Sequence, residues 1–135
     1  MAAGKYSFTI EQGSTVDFEI AYKDSNSNPI DLTGYQARMQ IKDAAGGSTT
    51  YITLSSSAEP SPCGTGLNMS GSEGLNPPTS GTIGVLISAV STSAFTFDTA
   101  VYDLEIASGS GDCTVVTRLV EGSVKLIKEV TTGTY

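Results

Sequence analysis

The stretch from residue 28 to residue 41, NPIDLTGYQARMQI, decides how the chain is read. Its first half is a connection. Pro29 has a fixed φ and no N–H, the preceding Asp24-Ser25-Asn26-Ser27-Asn28 tolerates left-handed backbone, and Gly34 permits a conformation that a side chain forbids. Its second half alternates: Ala37, Met39 and Ile41 are apolar, and Arg38, Gln40 and the following Lys42 are polar. A period of two is the pattern of a half-buried β-strand. The stretch therefore builds shape, and none of its residues suggests chemistry.

The same period recurs on both sides. In TVDFEIAYK, residues 15 to 23, Val16, Phe18, Ile20 and Tyr22 share one face. Residues 5 to 11 place Tyr6, Phe8 and Ile10 inward, and further strands are expected over 50–54, 82–88 and 99–107. In the last of these Ala100, Tyr102, Leu104 and Ile106 face in, while Val101, Asp103 and Glu105 face out. GSGD at 109–112 reads as a hairpin turn into CTVVTRLV and then, past Glu121-Gly122, into SVKLIKEV. Only SAVSTSAF, 88–95, suggests a helical turn, with Ser91 or Thr92 as its cap. Residues 55–81 carry four of the five prolines and show no alternation, so they read as a long irregular excursion. Seven or eight turn-separated strands predict one all-β domain over 1–135, an immunoglobulin-like antiparallel β-sandwich. Its core is expected to hold Phe18, Ile20, Met39, Ile41, Leu104 and Ile106, each nearly inaccessible to solvent.

Seven Lys and Arg against fourteen Asp and Glu give the 135-residue chain a formal charge of −7. Nucleic acids and anionic membranes call for a basic surface, so neither is an expected partner. The start, MAAGKYSFTI, lacks a basic region followed by an apolar stretch, and no apolar run approaches the length of a membrane span. A soluble protein made in a cytoplasm is expected. With no histidine, the usual general base and the commonest metal ligand are missing. No nucleophile elbow, P-loop or dinucleotide fingerprint occurs, and neither enzyme activity nor a cofactor is expected.

The remaining motifs have plain readings. Asp24, Asn26 and Asn28 have the spacing of a calcium loop, but Pro29 stands where the loop needs glycine and Tyr35 where it needs a bidentate Glu. A hairpin turn is expected there instead. Asp103 and Glu105 read as the solvent side of a strand, not as a catalytic pair. Asn68-Met69-Ser70 matches a glycosylation acceptor only by pattern, without a secretory signal. Cys63 and Cys113 lack zinc spacing; a long loop can reach a hairpin end, so a bond between them stays open, with free thiols the cytoplasmic default. Leu67, Met69 and Leu75 are apolar islands in the polar excursion and are expected to contact a neighbouring subunit.

Taken in order, QGSTVDFEIAYKDSNSNPIDLTGYQARMQIK, GTIGVLISAVSTSAF, VYDLEI and VTRLVEGSVKLIKEVT resemble small structural proteins of tailed bacteriophages. The likeness spans most of the chain apart from 55–81. It implies an immunoglobulin-like virion module similar to the amino-terminal domain of upper baseplate proteins. Its partners would be other virion proteins and copies of itself, and its location the virion. The expected role is a non-enzymatic tail or baseplate assembly module acting through subunit contacts, with a capsid decoration protein as the alternative. A carbohydrate-binding adhesin domain is the alternative from another class.

Overall fold

The computed structural model describes residues 4–56, 65–71, 77–109 and 114–132. Among these residues nine strands alternate with turns: β1 (Gly4–Lys5), β2 (Phe8–Glu11), β3 (Val16–Ala21), β4 (Gln36–Lys42), β5 (Thr50–Ser55), β6 (Gly66–Asn68), β7 (Thr82–Ile87), β8 (Thr99–Ser108) and β9 (Val115–Ile127). They form two sheets that pack face to face. The larger runs β1–β9–β8–β4–β5, with β2 also on β9, and the smaller runs β3–β7–β6. This is the immunoglobulin order, with β4, β8 and β9 in the places of strands C, F and G, and β3, β7 and β6 in those of B, E and D.

The connection between β3 and β4 carries the chain from one sheet to the other, and its chemistry is that of a built crossing. Asp24 Oδ1 accepts from the N–H groups of Asn26 and Asn28, both at 2.9 Å, with Ser27 at φ 66° between them. Asp31 Oδ1 does the same for the N–H and hydroxyl of Thr33. Tyr35 N–H closes a turn on the Leu32 carbonyl, with Gly34 at φ 82°. The turn drives Leu32 into the interior, where it is almost wholly buried.

Four expectations need correction. Not every pairing is antiparallel: β1 and β2 run parallel to β9. The first strand lies on the larger sheet, alongside the last strand and in the same direction, and the chain then turns at Gln12–Thr15 into the smaller one. The run 5–11 is interrupted at Tyr6-Ser7, opposite Gly122. There Tyr102 Oη donates to the Tyr6 carbonyl and Ser123 N–H donates to Ser7 Oγ, replacing ladder bonds. A Cβ on Gly122 would lie 2.1 Å from the Tyr6 oxygen, so only glycine lets β1 and β2 approach β9 here.

Second, Val115–Ile127, which takes in most of CTVVTRLV and SVKLIKEV, is one strand, not two. Leu104 pairs with Val120 but Glu105 pairs with Arg118, so Leu119 is the extra residue of a bulge. The bulge shifts the inward positions of β9 from odd to even numbers, which makes the two halves look like separate strands.

Third, Met39, Ile41, Leu104 and Ile106 are buried as expected, but Phe18 and Ile20 only pack partly against the core. Among the described residues β3 pairs with β7 alone, so it is a sheet edge and its inward side chains lack cover on one flank. Phe8 and Phe18 bridge the flank with ring centroids 5.1 Å apart, joined by Tyr6 and Tyr102. Fourth, the short helix α1 spans Ala89–Ser93 and is capped by Ser88, not by Ser91 or Thr92. Thr92 is buried instead, and its hydroxyl donates to the Ser14 carbonyl.

Candidate functional site

The outward face of the larger sheet holds a shallow groove of about 540 Å³. Strand register builds its floor in rows. One row sets Arg118, Glu105, Arg38 and Ser55 side by side across β9, β8, β4 and β5. The next sets Lys5, Glu121, Asp103, Gln40 and Thr53 together. A third brings Ser123, Val101 and Lys42 into line. The hairpin loop after β4, with Ala44, Ala45 and Gly46, forms one wall.

Two carboxylates, Asp103 and Glu121, stand directly opposite each other, an arrangement that repels unless cations intervene. Arg118 intervenes, with Nε 3.4 Å from Asp103 and Nη1 3.3 Å from Glu121. Lys5 bonds to Glu121 from the other side, and Arg38 Nε bonds to Glu105 at 2.7 Å. The hydrogen bond and charge of Lys5, with help from Arg118, hold the Glu121 carboxyl below its ordinary value of 4.5. Four of the seven cations line this groove beside three acids, leaving three cations against eleven acids for the rest of the chain. In a strongly acidic molecule this face is the exception.

Asp103 and Glu105 thus lie on the solvent side, as the alternation implied, and are tied into ion pairs. Among the described residues no group of three or more His, Cys, Asp or Glu side chains is placed to hold a metal ion. Nor is any helix among them long and apolar enough to cross a membrane. Asp24 turns its carboxylate into its own loop, which is hairpin chemistry. Asn68 likewise accepts from the Ser70 N–H at 2.8 Å.

The expected contact residues fare differently. Leu67 is 0% exposed in β6, opposite Val85 of β7, and Met69 packs against the same core. Leu67 already has a local core, which the Pro-rich surroundings and the three-residue strand concealed, while Met69 is half-buried against it. Leu75, Cys63 and Cys113 lie outside the described residues. The groove residues Lys5, Arg38, Arg118 and Glu121 were not singled out from the sequence, because each is an ordinary polar position of an alternating strand. Only cross-strand register assembles them.

Comparison of the chain with protein-family models and with curated protein sequences finds no match.

Proposed function

We propose that the chain is a non-enzymatic structural component of a tailed-phage virion, a tail or baseplate assembly module acting through contacts with other virion proteins and with copies of itself. The order of its sequence motifs suggests the virion setting. The observation that carries the mechanism is the outward face of the larger sheet, where Lys5, Arg38, Lys42 and Arg118 collect on a molecule of formal charge −7. A rigid sandwich holds such a face still, so docking costs little ordering. The ion-pair rows suit recognition of a complementary polar surface more than a buried apolar seam. Repetition in a particle multiplies modest contacts through avidity.

The test is to supply an epitope-tagged chain during particle production and to band the particles by density. The chain is expected to band with complete particles, and separation into tail and capsid fractions tells the tail role from capsid decoration. Recovery solely as free protein, with none in the banded particles, would overturn the proposal.

A further inference from the structure

The outer edge of β1 and β2 is open along its length among the described residues, and its composition has a symmetry that the assembly role does not by itself require. Tyr6 N–H donates to the Glu121 carbonyl at 3.0 Å and Gln12 N–H to that of Ile127 at 2.9 Å. In a parallel ladder every second residue faces the partner strand. Tyr6, Phe8, Ile10 and Gln12 therefore face β9, and the backbone groups of Lys5, Ser7, Thr9 and Glu11 face away. Only the Glu11 carbonyl among these is already engaged locally, by the Ser14 N–H.

We infer that this edge pairs with the same edge of a second copy, antiparallel and centred on Phe8. In that register Lys5 stands opposite Glu11 of the other copy, and Ser7 stands opposite Thr9. The register sets edge-facing residues opposite one another, as an antiparallel ladder requires, and two observations favour it. The single cation and single acid of the edge fall opposite each other, twice by symmetry, so Lys5, already bonded to Glu121 of its own chain, gains a second carboxylate across the contact. Tyr6, 48% exposed, and the half-buried Phe8 and Phe18 lie along this flank and become covered.

The two larger sheets then join into one continuous sheet about a two-fold axis, a closed isologous contact. Charges meant only to block an edge need not be opposite in sign or equidistant from its centre. This contact names one way in which copies meet, and extends the assembly role proposed above. Its test uses the purified chain alone, so it can fail while the virion reading stands, and the reverse.

Sedimentation equilibrium of the purified chain is expected to show a species of twice 13.9 kDa. Thr9→Pro removes an edge-facing N–H while leaving the ladder to β9 intact, as edge strands tolerate. Glu11→Lys sets like charges against Lys5. Each is expected to weaken dimerisation by about tenfold or more with an unchanged circular dichroism spectrum, and Lys5→Glu combined with Glu11→Lys is expected to restore it. Should Thr9→Pro unfold, the charge pair decides. A wild-type monomer at millimolar concentration, or a folded Thr9→Pro that dimerises as well as wild type, overturns the inference. So does undiminished dimerisation of Glu11→Lys, or a charge-swapped chain no tighter than Glu11→Lys.

Discussion

Replacing Leu67 by alanine separates two accounts of the Pro-rich segment. If Leu67 faced solvent until a neighbour covered it, truncation would leave the free protein's stability nearly unchanged. In the structure its side chain is 0% exposed, between the sheets and opposite Val85. Full burial of a leucine side chain is worth about 1.5–3 kcal/mol in transfer alone. Cavity formation raises typical Leu→Ala costs to about 2–5 kcal/mol. Because β6 has three residues and lies at the edge of its sheet, it can settle into part of the space, which favours the lower half of that range. We expect a loss of about 2–3 kcal/mol, or roughly 8–12 °C in Tm for a domain of this size. Urea unfolding followed by circular dichroism gives the value, with Val90→Ala, at a residue 81% exposed, as the control expected to change little. A loss below about 0.5 kcal/mol for Leu67→Ala would refute its assignment to the core.

Gly122→Ala would press a methyl against the Tyr6 backbone, and is expected to cost about 1–3 kcal/mol or more and to release β1 and β2 to faster amide exchange. Tyr102→Phe leaves the Tyr6 carbonyl without its hydroxyl donor, and should lower stability in urea by about 1–3 kcal/mol. Arg38→Ala removes an exposed ion pair to Glu105, and a double-mutant cycle should return no more than about 1 kcal/mol. Because the folded-state value of Glu121 is depressed, its contribution is present above the ordinary 4.5 and is lost as pH falls through the lower folded value. Lys5→Met should move that titration upward when followed by carboxyl NMR.

Much of the fold was legible because alternation is a direct imprint of a sheet with one buried face. Met39, Ile41, Leu104 and Ile106 are buried where their spacing placed them. Alternation says which face a residue takes, but not whether its strand is central or at an edge, so Phe18 and Ile20 were expected too deep. It also fails where the period slips, as at Leu119, and where a strand is too short to alternate, as at Leu67. The groove was the least legible part. Arg118 gains meaning only beside Asp103 and Glu121, and the bulge that sets this register leaves no mark in composition.

The claim that the outward face of the larger sheet is the working surface is tested most directly by lysine labelling before and after assembly into particles. Lys42 lines the groove and makes no ion pair among the described residues, while Lys23 lies beside the turn after β3, away from it. Lys42 is expected to label readily in the free chain and to be shielded in the particle, with Lys23 little changed. Equal labelling of Lys42 in both states would contradict it.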